Sequence, residues 1–311
     1  MSPLARNRRV LLQGLASSAA LGAFTGPLAW RAAAATLAEQ PLNERLSLIT
    51  GAGGNIVVYK GNQGLVLIDS GLKDAASELL ATLDQLGAGS SISTLINTHW
   101  HDDHSGGNEA LKARGAKILA HENTKLWLGA DFFVEWRNQG HKPRPAAALP
   151  DATFYVSGRL DLGGELAEYL HYPQAHTDGD LAVYFIDSKV LVAGGLVSNY
   201  RYPICDIASG GWIGGLLQAN AALLEKIDDS TIIVPDRGPA LTKADLQAQH
   251  DMLADLYAKM KAAAQEGLSG QDMLDARLTA DYDARWGDPT EFVLESYRGM
   301  WAHTYDMGGF I

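Results

Sequence analysis

The segment His99-Trp100-His101-Asp102-Asp103-His104 places three imidazoles and two carboxylates within six residues, directly after a predicted strand. Neutral imidazole and carboxylate are the groups that zinc and similar divalent ions take from proteins. His99 and His101 are two residues apart, a spacing that points both side chains the same way in extended or loop backbone. Three of the chain's nine histidines fall here. The segment therefore predicts a metal site on a loop.

Two loop histidines leave a zinc site incomplete, so a ligand distant in sequence is needed. His176 is the best candidate, because it lies in the turn-rich stretch Ala175-His176-Thr177-Asp178-Gly179-Asp180 just before a predicted strand. A ligand at the end of a strand is held by rigid backbone. We expect His176 to complete a three-histidine site.

The N-terminus reads as an export segment rather than as part of the fold. Arg8 and Arg9 precede a moderately apolar stretch that ends in Arg31-Ala32-Ala33-Ala34-Ala35, which offers small-residue cleavage sites. Residues 1–35 therefore resemble a twin-arginine signal peptide, and they are too polar and broken for a stable membrane span. This predicts an exported or periplasmic protein with no stable membrane insertion after cleavage.

The charge and the cysteine content of the chain limit the classes of partner and of metal site that can be expected. Without residues 1–35 the chain carries 21 basic against 36 acidic residues, a net charge of −15. Such a surface repels phosphate backbones and anionic membranes, which excludes nucleic acid and favours a small-molecule substrate. A single cysteine, Cys205, allows no intrachain disulfide and no cysteine-rich zinc site, and we expect it in the core.

Hydrophobic patterning predicts an α/β domain. A hairpin is expected over 55–60 and 64–69, further strands over 92–96, 117–120, 181–186, 190–193 and 231–234, and helices over 73–86, 108–113, 210–226, 243–263 and 291–301. Residues 130–150 look irregular. Strands and helices alternate through two halves, 40–150 and 151–240, without a linker. We therefore expect one domain over 40–311, an αββα sandwich of two mixed β-sheets flanked by helices, with a helical C-terminal extension from about 242.

Taken together, these motifs resemble the metallo-β-lactamase superfamily of zinc hydrolases. His99, His101, Asp103 and His104 match its His-x-His-x-Asp-His motif, and 175–180 is similar to its later His-Thr-x-Gly-Asp motif. The run 66–71 resembles the upstream strand with a buried Asp, here Asp69. The resemblance covers residues 44–240 and implies the αββα fold.

The resemblance also implies roles for individual residues. His99, His101 and His176 would hold a first zinc ion, and Asp103 and His104 would belong to a second site. Asp103 would be the catalytic residue that orients the nucleophile, while Asp69 and Asp180 would support the ligands. The implied activity is hydrolysis of an acyl bond (lactam, lactone, ester or thioester) by hydroxide on zinc.

Two departures put the second zinc site in doubt. Gly195 stands where many members have a metal-bridging Asp, and Leu196 stands where some β-lactamases have Cys. Arg237 replaces the late histidine of the second site. Two protein ligands beside a fixed cation hold a divalent ion poorly, whereas Arg237 suits a carboxylate left without its metal. We expect one firmly bound zinc ion.

Two alternatives stay open at this stage. The chain could be a zinc-binding or sensing protein without catalysis that keeps the fold. A second ion could also use unusual ligands such as Asp236 or Cys205. The sequence identifies neither the substrate nor the oligomeric state.

Overall fold

A computed structural model describes residues 37–87, 89–199 and 201–305 of the 311-residue chain. The predicted export segment, 1–35, lies outside these residues. Among the helices described, none combines the length and the apolar character that crossing a membrane requires.

Fourteen strands are described in chain order: β1 Ala38–Pro41, β2 Leu46–Thr50, β3 Ile56–Gly61, β4 Gly64–Ile68, β5 Ile92–Ile96, β6 Lys117–His121, β7 Phe132–Val134, β8 Gln139–His141, β9 Ala152–Phe154, β10 Gly158–Asp161, β11 Leu166–Tyr172, β12 Asp180–Phe185, β13 Val190–Gly194 and β14 Ile232–Pro235. The α-helices described are α1 Ala76–Gly87, α2 Asp102–Ser105, α3 Asn108–Ala113, α4 Glu122–Leu128, α5 Ile213–Lys226, α6 Lys243–Gln265, α7 Gly270–Asp275, α8 Ala280–Trp286 and α9 Thr290–Ala302.

Two mixed sheets form the centre of the fold. The first has the order β1-β2-β3-β4-β5-β6-β9 and the second the order β10-β11-β12-β13-β14. In the first sheet β1 to β4 pair antiparallel, whereas β4, β5, β6 and β9 run parallel. In the second, only β13 and β14 are parallel. Loops that follow parallel strands leave one edge of a sheet together, and this edge carries the site.

The strands alternate between two cores. In β3, Val57 and Tyr59 belong to the core between the sheets, where Tyr59 meets Phe185 of the other sheet with ring centroids 5.6 Å apart. Ile56 and Val58 point the other way, into a core shared with α1 and α3. A third core packs α5, α6 and α9 on the outer face of the second sheet. These layers are the predicted αββα sandwich.

Most predicted elements agree with the structure, but three details differ. Residues 130–150 are not irregular throughout, since β7 and β8 form a hairpin closed by a 3₁₀ turn at Glu135–Arg137. β9 joins the first sheet, so the chain passes between the sheets after residue 154 rather than at 151. Helix α5 begins at Ile213, because Gly210, with φ of 83°, ends a separate 3₁₀ turn.

Candidate metal centre

The loop that follows β5 is fixed by buried hydrogen bonds to its backbone. The carbonyl of His104 accepts from Asn97 Nδ2 at 3.3 Å and from Ser70 Oγ at 3.1 Å. His101 is the N-cap residue of α2, and its own carbonyl accepts from the amides of His104 and Ser105. The chain thus passes from strand to helix over five residues, 97–101, which brings His99, His101 and His104 to one edge of the sheet.

His176 reaches the same edge from the turn between β11 and β12. Asp180, the first residue of β12, closes this turn: its carboxylate accepts from the backbone amide of His176 at 2.6 Å, from that of Thr177 at 2.8 Å and from the Thr177 hydroxyl at 2.6 Å. Asp180 is buried and does not contact the metal position. It holds the backbone of His176.

His99, His101 and His176 converge on one point. One ring nitrogen from each lies within 4.8 Å of the others. Nδ1 of His101 and Nε2 of His176 are 3.0 Å apart. Tetrahedral ligands at zinc–nitrogen distances of 2.0–2.1 Å would be about 3.3 Å apart. The spacing fits a single small ion.

The outer nitrogen of each of these rings has its own acceptor. His176 Nδ1 donates to the carbonyl of Ile204 at 2.8 Å, and His101 Nε2 donates to Asp206 Oδ2 at 3.0 Å. Thr98 Oγ1 donates to Asp69 at 2.7 Å and so accepts from His99 Nδ1 at 2.9 Å. These acceptors place the proton on the outer nitrogens and leave a lone pair on each inner one. The donor set fits zinc.

Burial keeps two of these rings neutral. It lowers the pKa of His176 to about 3, with the nearby His101 imidazole acting in the same direction. Burial also lowers the pKa of His99 well below the usual value. A neutral imidazole is the form that binds a metal.

Asp103 and His104 lie beside the triad, in front of Asp69. Asp69 is in the left-handed region, with φ of 66°, a conformation that Asp tolerates better than most residues. Its carboxylate accepts from His104 Nδ1 at 2.8 Å and from the Thr98 amide at 2.7 Å. His104 Nε2 faces Asp103 Oδ2 at 3.5 Å. The second site thus keeps these two groups in place.

Two guanidiniums lie where the resemblance would place the rest of a second metal site. Arg237 Nη2 lies 2.5 Å from Asp103 Oδ2. Arg201 pairs with Asp236, whose carboxylate is also 3.9 Å from Arg237 Nε. Burial alone would raise the pKa of Asp103, but His104 and Arg237 outweigh it and hold that pKa well below its usual range. Asp103 is therefore an ionised carboxylate in an ion pair.

Packing accounts for the two residues directly after β13 that depart from the family pattern, and for the cysteine. Gly195 faces the triad so closely that a Cβ would lie 2.1 Å from Cδ2 of the His176 ring. Leu196 is fully buried in the helix-side core of the second sheet, as is Cys205, whose thiol pKa is raised by burial. Neither Leu196 nor Cys205 is placed to bind a metal, and Asp236 is engaged by Arg201.

A cleft of about 260 Å³ opens next to the triad. Its wall is aromatic: Trp100 packs against His141 at 4.9 Å and against Phe132 at 5.7 Å between ring centroids. Arg137, Gln139 and Asp206 add polar groups. The β7–β8 hairpin and the 201–212 loop both line this cleft.

Sequence reasoning missed Arg137, Arg201, Ile204 and Asp206. Ile204 acts through its carbonyl, which no sequence pattern reveals. The other three lie in loops without a recognisable spacing, and their roles depend on where the loops fold back.

The comparisons with known proteins identify the family of the chain. The family model described as the metallo-beta-lactamase superfamily matches residues 49–241. A type 2 metallo-beta-lactamase of Elizabethkingia meningoseptica is 22% identical over 210 residues, which cover 67% of this chain and 78% of that protein. A hydroxyacylglutathione hydrolase of Erythrobacter litoralis is 28% identical over 107 residues, 34% of each chain.

Solved structures have the same fold. A metallo-beta-lactamase from Pontibacter korlensis superposes with a TM-score of 0.58 at 22% identity, covering 70% of this chain and 99% of that one. A stereoselective inverting sec-alkylsulfatase from Pseudomonas sp. superposes with a TM-score of 0.64 at 18% identity, covering 84% of this chain and 50% of that one. The family match spans well over half of the sequence, so the chain belongs to the metallo-beta-lactamase superfamily.

Proposed function

We propose that the protein is a hydrolase that binds one zinc ion on His99, His101 and His176 and cleaves an acyl bond of a small molecule. The observation that carries this proposal is the set of acceptors on the outer ring nitrogens. They leave three lone pairs directed at one point beside an open cleft. Zinc on three imidazoles acts as a Lewis acid and brings the pKa of water near 7, which supplies a nucleophile at neutral pH.

Asp103 orients the attacking water in this proposal. Arg237 restrains its carboxylate, and an ion-paired carboxylate is a weak base. Asp103 therefore contributes mainly as a hydrogen-bond acceptor. Lactams, lactones, esters and thioesters are the candidate substrates, and the aromatic wall of the cleft favours those with a flat or apolar group.

One experiment tests the activity. The purified protein is assayed against a panel of chromogenic β-lactam, lactone, ester and thioester substrates, before and after chelation and after zinc is added back. We expect hydrolysis of at least one class, lost on chelation, restored by zinc and abolished in His176→Ala. Tight zinc binding without turnover of any class would instead favour the alternative of a zinc-binding protein without catalysis. The residues at 195 and 237, which differ from the family pattern, are the reason to keep this alternative.

Export belongs to the proposal as well. It rests on Arg8 and Arg9, which lie outside the described residues, and on the small-residue run at 32–35. Replacing both arginines with lysine should retain the precursor in the cytoplasm of a host with a twin-arginine pathway. Unchanged appearance of the mature protein outside the cytoplasm would refute this assignment.

A further inference from the structure

The last helix reaches the metal centre from outside the matched family region. Glu295 lies on α9, beyond residue 241 where the family match ends, and its side chain is only 4% exposed. Its Oε1 accepts from Trp136 Nε1 at 2.9 Å, and its Oε2 lies 3.3 Å from Arg137 Nη2. Glu295 therefore ties the turn of the β7–β8 hairpin to the C-terminal helices.

Arg137 continues this connection to a ligand histidine. Its Nη1 lies 3.4 Å from Asp206 Oδ1, while Asp206 Oδ2 accepts from His101 Nε2 at 3.0 Å. Ser209 Oγ donates to the same Asp206 oxygen at 2.5 Å. Arg137 thus stands between two buried carboxylates, one on α9 and one that accepts a hydrogen bond from the His101 ring.

The same helix supports the loop that carries two of the outer acceptors. Phe292 of α9 stacks on Tyr202, with ring centroids 5.0 Å apart. Gly299 allows close packing, since a Cβ there would lie 3.2 Å from Ile207 and 3.2 Å from Trp212. Residues 202–212 include both Ile204, whose carbonyl orients His176, and Asp206.

We propose that Glu295 is a positioning residue for the metal centre: it fixes Arg137, Arg137 fixes Asp206, and Asp206 orients His101. This inference rests on the proposed zinc site. It makes the C-terminal helices part of the metal centre rather than an appendage to the family fold.

Charge and burial explain why this series of contacts, from Glu295 through Arg137 and Asp206, can hold His101 in position. A buried carboxylate is costly unless it is paired, so Asp206 depends on Arg137, His101 and Ser209 to stay in place. Without Glu295, Arg137 would keep only Asp206 and the exposed Glu291 as carboxylate partners among the described residues. Partners of metal-binding histidines commonly change metal affinity 10- to 100-fold when removed.

The test measures zinc affinity by competition with a chromophoric chelator. Asp206→Asn should weaken zinc binding by about 10- to 100-fold, and Glu295→Gln by about 3- to 10-fold. Glu291→Gln is the matched control, because it removes a charge from the same helix at an exposed position 3.8 Å from Arg137. It should change the affinity less than about twofold.

A double-mutant cycle distinguishes positioning from general destabilisation. If Glu295 acts through Arg137, Arg137→Gln and the double variant Arg137→Gln/Glu295→Gln should bind zinc equally weakly. Additive losses, or a Glu295→Gln protein that binds zinc like the wild type, would overturn the inference. Hydrogen exchange of the zinc-free proteins adds a second readout, in which Glu295→Gln should expose amides of 132–141 and Glu291→Gln should not.

The experiments distinguish a failure of the proposed zinc-dependent function from a failure of the proposed link between Glu295 and Arg137. A wild-type protein that holds no zinc contradicts the proposed function, whereas faster exchange of the hairpin in zinc-free Glu295→Gln still supports the link from Glu295 to Arg137. Unchanged exchange in that variant contradicts the link whatever the metal content.

Discussion

At the scale of single residues, the metal centre depends on atoms just outside the ligand rings. A carbonyl, a carboxylate and a hydroxyl each accept a hydrogen bond from a histidine N–H, and this decides which ring nitrogen faces the proposed metal position. Glycine at 195 leaves room for one of these rings, and arginine at 237 neutralises the carboxylate next to them. Both substitutions therefore change what the site can hold.

Gly195→Ala tests the space beside the triad. The new Cβ would meet the His176 ring at 2.1 Å, so the ring must shift from its position. Crowding of this kind costs about 1–3 kcal/mol, which corresponds to about 5- to 150-fold in zinc affinity. The affinity is measured by chelator competition, with Gly129→Ala as control because a Cβ there makes ordinary contacts. Equal affinities for the two variants would contradict the assigned position of His176.

The same clash bears on the aspartate that many family members have at this position. Restoring an aspartate at 195 does not by itself rebuild a second metal site, since any side chain there displaces a ligand of the first one.

Arg237→Ala tests the ion pair with Asp103. Removing the guanidinium leaves a carboxylate that is only 16% exposed, with His104 at 3.5 Å as its remaining ion-pair partner in the described part of the chain. We expect a loss of about 1–2 kcal/mol in the free energy of unfolding, measured by urea denaturation. Arg114→Ala is the control, because the Arg114–Asp84 pair is exposed and should contribute little to the free energy of unfolding. Similar losses in both variants would show that Arg237 does not stabilise Asp103.

At the scale of elements, the site is built where strands end. His99 and His101 follow β5, His176 precedes β12, and Arg237 follows β14. Alternating apolar residues made these strands predictable, and the histidine motif located the triad. The hairpin β7–β8 and the loop 201–212 were not predictable in shape, because short polar segments take their conformation from what they pack against.

The ion pairs of Glu168, which join β10, β11 and α5, predict a stability that depends on pH in a defined direction. This buried residue of β11 pairs with Lys226 at the end of α5 and with Arg159 of β10, and Lys226 and Arg159 together lower its carboxyl pKa. A lowered pKa stabilises the fold above the unfolded value of about 4.3, and the stabilisation is lost as the pH falls through the folded value.

The free energy of unfolding of Glu168→Gln should therefore be about 1 kcal/mol lower than that of the wild type at pH 7. Near pH 3 the two free energies should differ little. Denaturant melts at both pH values measure this. Asp131→Asn, which removes an exposed pair with Lys142, is the control and should have little effect at either pH. A Glu168→Gln deficit that persists at pH 3 would contradict the ionic explanation.

At the scale of the whole molecule, the αββα sandwich of the superfamily carries a candidate metal centre whose residues differ from the family pattern at 195 and 237. The three histidines are arranged for one ion, while Arg237 and Arg201 fill the space beside it with positive charge. The C-terminal helices lie against the loops that orient two of the ligands. The proposed binding of a single zinc ion therefore rests on residues from distant parts of the described chain.

The zinc content of the purified mature chain, after dialysis with excess zinc and gel filtration, tests this account most directly. Elemental analysis should find about one zinc per chain in the wild type, and His176→Ala should retain none through the same procedure. Two tightly held zinc ions per wild-type chain would contradict the account, because Arg237 would then not stand in place of the second ion.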